Sequence, residues 1–372
     1  MAAIEALENA ENLPQRRRLL PREPFDELQE HQFVKLYRLT KEAASNLIDT
    51  LQPHMQAPSR LSDLSIERKV LTALRFFGSG SYQSDIGCHV NHAVSQASVS
   101  RCIEEVSRAL NLPGIFNRYV HLPENIQELT RVRNSFYEKH NFPGVAGCVD
   151  CTHIAIYPPN INHDMYNEAI YVNRKSYHSI NVQLMCDVNL KILNVNARFP
   201  GSTNDSFIWN NSNALEYMRN IHRNGHTSFY LLGDSGYALR PWMMTPVPDA
   251  APGSPEERFN ERHRSTRYTI ERCNGVLKLR FRCLLKHRTL HYKSEKCSYI
   301  INACTVLHNI CIDHNIPPVE IGQDVGDHYL GEIDFGMYLP ARLDENNPAG
   351  RINPELAAGR RVQQIVIRNH FA

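Results

Sequence analysis

Two kinds of hydrophobic pattern follow one another along the chain. Between Phe33 and about Leu112, apolar residues recur three and four positions apart, which is the period of a helix that buries one face. After Gly144 the apolar residues form short runs of strand length instead. The pattern therefore predicts a helical region followed by an α/β region.

The helical region carries recognisable start and stop signals. Thr40 is a natural cap for a helix that contains Ala43, Leu47 and Leu51 on one face. Three further helices are predicted, at about Ile66 to Phe77, Tyr82 to His89 and Gln96 to Leu110.

The last of these helices has features of a DNA-reading element. Ser95 is placed to cap it, and Ser98, Ser100 and Arg101 fall on the side that is predicted to be exposed. Small polar and basic residues at such positions are typical of the recognition helix of a helix-turn-helix. An ordinary three-helix bundle would show the same spacing. The sequence leaves both interpretations open.

Three apolar strands open the α/β region. The short turn at Asn189 predicts that the second and third strands pair as an antiparallel hairpin. The three strands lie at about Gly144 to Ile156, Ser179 to Val188 and Lys191 to Phe199.

The elements that follow identify a fold class. After the hairpin come a helical segment, a short strand that ends at Leu232, and a candidate fifth strand at Leu239 to Val247. Two helices close the region, one at about Pro255 to Leu285 with a break near Ser265 and one at about Lys293 to His314. This order predicts an α/β, ribonuclease H-like core, in which helices flank a mixed sheet.

The same patterns divide the chain into four parts. These are a flexible arm over residues 1–32, a helical, helix-turn-helix-like domain with a connector over residues 33–142, a ribonuclease H-like domain over residues 143–316, and an irregular acidic tail over residues 317–372.

Composition narrows the class of protein further. Of 372 residues 22% are charged, the formal net charge is +2, and no apolar run approaches the ~18 residues that a membrane span needs. The acidic N-terminus lacks the basic and apolar segments of a secretory signal. We therefore expect no membrane contact and an address in the nucleus and cytoplasm.

The ten cysteines are expected to be reduced thiols that pack in the core. Cys148 and Cys151 form a CxxC pair, but residues three apart on a strand point to opposite faces. Cys304, His308 and Cys311 fall on one face of a helix, for which packing is favoured over metal binding.

Three acidic residues are predicted to lie close together at the centre of the sheet. In a ribonuclease H-like core, Asp150 on the first strand and Asp234 just after the fourth lie on adjacent strands, and Glu271 on a later helix can reach them. Two divalent ions ~3.5–4 Å apart, held by converging carboxylates, can clamp a phosphodiester for in-line attack. Carboxylate ligands favour Mg²⁺ or Mn²⁺ over softer metals. The pattern thus predicts metal-dependent phosphoryl transfer.

Four sequence words resemble a known family, the DDE transposases of the PIF/Harbinger superfamily and their domesticated, harbinger transposase-derived nucleases. The words are VDCTHI at Asp150, PGSTNDSFIW at Asp205, LLGDSGY at Asp234, and the basic stretch around Glu271. The similarity covers about Gly144 to Asn309 and is weaker in the helical region. Around Glu271 the chain also resembles the R-(3)-E-(6)-K signature of related bacterial transposases, although Arg264 replaces the tyrosine that precedes it there.

The resemblance implies a divalent-metal-dependent DNA endonuclease with the catalytic residues Asp150, Asp234 and Glu271. Asp205 is either a fourth metal ligand or the cap of its helix, for which Asn204 and Ser202 compete. DNA phosphates would be bound by basic residues of the Glu271 stretch, namely Arg267, Arg272, Lys278 and Arg282.

The resemblance also implies binding partners, and it leaves two alternative functions open. DNA is the expected substrate, and relatives commonly work with a separate Myb-like DNA-binding helper. The alternative is a domesticated DNA-binding or regulatory protein that keeps the fold without cleaving, and an RNA-directed hydrolase would share the same core. Oligomer formation is left open.

Overall fold

A five-stranded mixed sheet lies at the centre of the protein. The computed structural model describes residues 23–60, 62–159, 167–318 and 353–372. The strands pair in the order β3-β2-β1-β4-β5, so that β1 is central. Strand β1 is antiparallel to β2 and parallel to β4, and β2 and β3 form the predicted antiparallel hairpin. The strands are β1 Val145–Ala155, β2 Ser179–Cys186, β3 Ile192–Pro200, β4 Tyr230–Leu232 and β5 Met243–Met244.

This order is compatible with the predicted ribonuclease H-like core. The edge strand β5 has only two residues and pairs in parallel with β4. It is much shorter than the strand predicted at Leu239 to Val247.

The helices are distributed before, between and after the strands. Among the described residues, eight precede the sheet, namely α1 Pro24–Glu27, α2 Glu30–Tyr37, α3 Lys41–Leu51, α4 Ile66–Ser79, α5 Gln83–Cys88, α6 Gln96–Leu110, α7 Pro113–Tyr119 and α8 Ile126–His140. Two lie between β3 and β4, namely α9 Asp205–Asn210 and α10 Asn213–Arg223. Three helices in the described part of the chain follow β5, namely α11 Pro255–Arg280, α12 Ser294–Asp313 and α13 Pro354–His370.

Capping side chains explain where many of these helices begin. The Thr40 hydroxyl accepts a hydrogen bond from the Ala43 amide, as predicted, and satisfies one of the amides that a helix start leaves unpaired. Ser65 and Ser95 cap α4 and α6 in the same way. The bounds of α6 are those predicted from the sequence.

Two apolar clusters cover opposite faces of the sheet. The first cluster joins Cys148 and Ile154 of β1 to α11, α12 and the N-terminal helices. It also includes Phe371, which follows the last helix. The second cluster joins Val149 of β1 to α8, α9 and α10. Alternate residues of β1 thus face different clusters, and the central strand is buried on both sides.

The predicted recognition helix is a packed part of this body. Helix α6 lies between α4 and α12, where Lys296 Nζ lies 2.9 Å from the Glu104 carboxylate and the Arg108 guanidinium lies 5.0 Å from the centre of the Tyr299 ring. Arg101 is exposed, and Ser98 and Ser100 are half-buried. Helices close to the predicted positions are therefore present, whereas a helix-turn-helix is not confirmed.

Two predicted features of the helices are wrong. Helix α11 runs without the expected break near Ser265, because serine costs a helix only a few tenths of a kcal/mol and no proline or glycine lies nearby. The arm predicted over residues 1–32 is helical from Pro24, since Phe33 anchors α2 in the first cluster. Residues 1–22 of that arm lie outside the described residues.

The predicted irregular tail is also wrong in part. Residues Pro354–His370 form a helix that packs on α11 and β5, with Ile367 buried in the first cluster. Residues 319–352, which make up most of the acidic segment before this helix, lie outside the described residues. No helix among the described residues is both long enough and apolar enough to cross a lipid bilayer.

Candidate functional site

Asp150 lies at the centre of β1 and faces α11. It is only 8% exposed, and its Oδ2 atom is 3.5 Å from Nη1 of Arg267, which is itself buried. The Nη2 atom of the same guanidinium donates a hydrogen bond to Oε1 of Glu271, one helical turn further along α11. One buried arginine therefore links two of the three predicted catalytic carboxylates.

Asp234 approaches the same point from the neighbouring strand. It follows β4, which runs parallel to β1 with Leu232 beside Cys148. Its Oδ1 atom accepts a hydrogen bond of 2.9 Å from the Gly236 amide, which fixes the turn after the strand. The parallel pairing places the carboxyl end of β4 beside the middle of β1, as the sequence predicted.

Asp205 is not the cap of its helix. The Asn204 side chain takes that role, since its Oδ1 atom accepts a hydrogen bond of 2.8 Å from the Phe207 amide. The Asp205 carboxylate instead accepts a hydrogen bond of 2.9 Å from Nδ2 of Asn181 on β2. Glycine is required at Gly201 just upstream, because a Cβ there would collide with the Ser179 hydroxyl and the Tyr171 carbonyl. The cap alternative is thereby removed, and metal binding by Asp205 stays a prediction.

The pKa values show that these carboxylates interact. Burial raises the pKa of Asp150 to about 8; Arg267 opposes this rise, and the nearby Asp234 and Asp205 add to it. Burial also raises the pKa of Asp205, against the Asn181 hydrogen bond and with Asp234. Crowded carboxylates raise one another's pKa because their negative charges repel. The cluster therefore carries more negative charge than Arg267 alone compensates.

A pH dependence of stability follows from the Asp150 pKa. Between its ordinary value of 3.8 and about 8, the folded protein keeps a proton that the unfolded chain releases. Stability should therefore fall as pH rises through this window, by at most about 1.4 kcal/mol per pH unit. Arg267, Glu271, Asp205 and Asp234 surround the titrating group and are unchanged in an Asp150→Asn variant.

Denaturant unfolding in EDTA at pH 5.5 and pH 8 measures this effect. The wild type should lose more stability between the two pH values than Asp150→Asn, whose amide does not ionise. Equal losses in the two proteins would contradict the raised pKa of Asp150.

The donor set fits a hard divalent cation by its chemistry. Asp150, Asp205, Asp234 and Glu271 offer carboxylate oxygens, which Mg²⁺ and Mn²⁺ prefer, and the mutual repulsion of the first three is what a cation would relieve. Within the described residues, no group of three or more histidine, cysteine, aspartate or glutamate side chains is already arranged to hold a metal ion. The carboxylates are thus neighbours, but they do not form a closed ligand cage.

The predicted phosphate-binding residues occupy different surroundings. Arg267 and Lys278 are buried beside β1, where Lys278 Nζ donates to the Thr152 hydroxyl at 2.7 Å and to the His153 carbonyl at 3.1 Å. Arg272 is exposed. Its charge contributes to the lowered pKa of His140, after the larger effects of burial and of Lys139. Binding of DNA phosphates by these residues stays a prediction.

Arg282 lies farther along the chain, in a short 3-10 helix after α11. Burial, and then the charge of Arg282, lower the pKa of Arg38 to about 10. Arg282 therefore lies beside the N-terminal helices, and its binding of phosphate also stays a prediction.

Three residues of the site were not predicted. Asn181 holds Asp205, Thr152 receives the Lys278 ammonium, and the Tyr237 hydroxyl lies 3.6 Å from Cys151 Sγ. A polar residue inside the apolar run SINVQLMC was the signal that could have revealed Asn181, because a buried amide needs a partner. Thr152 and Tyr237 give no comparable signal.

Eight of the ten cysteines are buried, as predicted, whereas Cys88 is exposed and Cys151 is half-buried. Cys148 Sγ donates to the Thr266 carbonyl on the α11 side of β1, whereas Cys151 faces Tyr237 on the other side. Cys304, His308 and Cys311 are buried in α12 among apolar residues. All ten cysteines are free thiols.

Comparison with known proteins gives the family. Residues 149–309 match the model of a DDE superfamily endonuclease. A mouse protein (Mus musculus) named "Putative nuclease HARBI1" is 34% identical over 359 residues, which cover 95% of each chain. The human protein (Homo sapiens) of that name is 34% identical over 303 residues, which cover 80% of this chain and 82% of the relative.

A plant relative is more distant. The Arabidopsis thaliana "Protein ALP1-like" is 26% identical over 297 residues, which cover 76% of this chain and 70% of the relative. No solved structure gives a significant match. Since the mouse relative matches over almost the whole length of both chains, this chain belongs to the harbinger transposase-derived nuclease family of the DDE superfamily endonucleases.

Proposed function

We propose that this protein is a divalent-metal-dependent DNA endonuclease that hydrolyses phosphodiester bonds by a two-metal mechanism. The carboxylate cluster at the junction of β1 and β4 carries the proposal. Burial raises the pKa of Asp150 to about 8, the charges of Asp234 and Asp205 add to that rise, and a bound cation would relieve their repulsion. A fold without a metal has no physical need for such a cluster. The relatives named as nucleases support the same function.

The residues of the site would have different roles in metal binding and positioning. Asp150 and Asp234 would hold the metal from adjacent strands, with Asp205 and Glu271 on either side. When bound, Mg²⁺ or Mn²⁺ would supply Lewis-acid stabilisation of the charge that develops on the phosphate oxygens. Arg267 orients Asp150 and Glu271 towards each other, and Lys278 anchors α11 to β1 through Thr152.

The basic residues of α11 and of the turn after it would bind the DNA backbone. Arg272 is the most accessible of the predicted set, because its side chain is exposed. Buried Arg267 and Lys278 would act on phosphates only at the site itself. Contacts of this kind position DNA without reading its sequence.

Plasmid nicking tests the proposal. Purified wild-type protein should convert supercoiled DNA to the open circle with Mg²⁺ or Mn²⁺, and EDTA should stop the reaction. The same ions should raise the unfolding temperature, because a ligand that binds only the folded state stabilises it. Neither nicking nor a thermal shift with either ion would contradict the proposal and leave the non-cleaving alternative.

The proposal extends to partners and address. A net charge of +2 gives limited general affinity for DNA, so a separate Myb-like DNA-binding helper would assist target binding and nuclear entry. A protein that depends on such a helper for nuclear entry would occur in both the nucleus and the cytoplasm. Self-association on DNA is compatible with this function.

A further inference from the structure

A second surface, distinct from the carboxylate cluster, has the chemistry of a nucleic-acid site. It is a groove of about 400 Å³ between the start of α5 and the segment that joins α11 to α12. Gln83 on the first wall and Tyr292 on the second are joined by a hydrogen bond of 2.7 Å from Nε2 to the hydroxyl. The two walls are thus held together, and we call this surface the Tyr82 groove.

Aromatic rings are exposed along the Tyr82 groove. Tyr82, on its rim, is 71% exposed, which is the highest value among the large apolar and aromatic side chains described. Tyr157, just beyond β1, is 58% exposed, and its ring stacks on His291 of the groove with 5.2 Å between centres and 27° between planes. Exposed flat rings offer stacking platforms for bases, and this stacking depends little on base identity.

The charge of the Tyr82 groove favours a polyanion. Its lining contains Arg288, His287 and His291 and no aspartate or glutamate. The Arg288 Nε atom is buried and has no hydrogen-bond partner among the described residues, and Arg288 forms no ion pair with them. A guanidinium with an unsatisfied donor is suited to a phosphate.

Basic and aromatic side chains lie between the groove and the strand that carries Asp150. The Tyr157 amide donates to the Leu290 carbonyl at 2.9 Å, so the end of β1 forms one edge of the groove segment. In this region, the Lys286 ammonium lies 4.9 Å from the centre of the Tyr177 ring, and that ring lies edge-on to His153 at 6.4 Å. His153 is three residues from Asp150 and so points to the opposite face of β1, where it pairs with Asn181, the partner of Asp205.

The distance between Asp150 and Tyr157 gives the length of DNA that would span the two sites. Tyr157 lies seven positions after Asp150, and an extended strand rises ~3.3 Å per residue, so the separation is roughly 23 Å. At ~3.4 Å per stacked nucleotide, this equals about seven nucleotides of one DNA strand.

We propose that the Tyr82 groove binds an unpaired stretch of DNA about seven nucleotides from the bond that is cleaved. Tyr82 and the Tyr157–His291 pair stack on bases, and Arg288 binds a phosphate. The placement of this stretch rests on the proposed nuclease function, whereas the binding of unpaired DNA by the groove does not.

Fluorescence polarisation with the full chain in EDTA tests the proposal, because no metal is present to support cleavage. The probes are a labelled twelve-nucleotide poly-dT strand and a blunt twenty-base-pair duplex. Tyr82→Ala and Tyr157→Ala should each weaken poly-dT binding about tenfold, and duplex binding should change less than about twofold. Arg288→Gln should weaken poly-dT binding and lower its salt dependence by about one ion.

Tyr137→Ala is the matched control, because Tyr137 is 49% exposed on α8, away from the groove. It should bind poly-dT like the wild type. Unchanged poly-dT binding by both groove variants, or an equal loss for strand and duplex, would overturn the proposal, as would tighter binding of a poly-rU strand. Failure of the nicking assay alone would refute the nuclease function and leave this result standing.

Discussion

Asp150→Asn is expected to lower the rate of metal-dependent plasmid nicking by roughly 1,000-fold or more. The substitution keeps the size of the side chain but removes the central carboxylate from the cluster that would hold the metal. Metal ions supply several kcal/mol of transition-state stabilisation, and each 1.36 kcal/mol is a factor of ten in rate. Initial nicking rates at saturating Mn²⁺ measure the loss, and Asp234→Asn and Glu271→Gln should show losses of similar size.

Asp187→Asn provides the matched control for this result. The Asp187 carboxylate lies in the β2–β3 turn and accepts hydrogen bonds of 2.8 Å from the Asn189 and Lys191 amides. An asparagine oxygen can accept the same bonds, so nicking should stay within about twofold of the wild type. If Asp150→Asn were as active as this control, the carboxylate cluster would not be the catalytic centre.

Arg267→Gln is expected to have the largest effect on stability. Arg267 is 3% exposed and lies between Asp150 and Glu271, so its loss leaves two largely buried carboxylates without their cation. Removing one partner of a buried ion pair typically costs about 3–5 kcal/mol. Urea unfolding in EDTA at pH 8 measures the difference in free energy of unfolding. The cost should shrink at pH 6, where Asp150 can take up a proton.

Arg272→Gln is the corresponding control on the same helix. Arg272 is exposed, and surface substitutions of this kind usually change stability by less than about 0.5 kcal/mol. A loss of stability as small for Arg267→Gln as for Arg272→Gln would show that the buried guanidinium does not stabilise the carboxylates.

Sequence patterns were sufficient for the β2–β3 hairpin, because a local signal determines it. The tight turn at Asn189 leaves an antiparallel hairpin as the simplest connection. The adjacency of the strands that carry Asp150 and precede Asp234 was expected from the ribonuclease H-like fold class, and the pairing of β1 with β4 agrees with it. The break predicted near Ser265 was wrong because its local signal is weak. A helix propensity of a few tenths of a kcal/mol does not decide whether a helix continues.

Periodicity could not assign the basic residues of α11. Arginine or lysine occurs on every side of this helix, so the sequence does not say which ones turn inward. Arg280 is 1% exposed and donates to the Ile316 carbonyl at 2.7 Å, whereas Arg272 is exposed. The difference depends on which neighbours the helix meets, and that is decided by packing between residues distant in sequence. The apolar run around Asn181 indicates that this amide needs a partner, but only packing between distant residues makes that partner Asp205.

The first apolar cluster changes what a domain boundary means in this chain. Residues on both sides of the boundary predicted at 142/143, from Phe33 and Phe77 to Phe281 and Leu307, are buried in one continuous core. A fragment cut at that boundary would expose the apolar surface of α11 and α12 to water, at about 25 cal/mol for each Å². The N-terminal helices and the sheet should therefore melt together in a single transition, and the sheet region is best expressed with its helical neighbours attached.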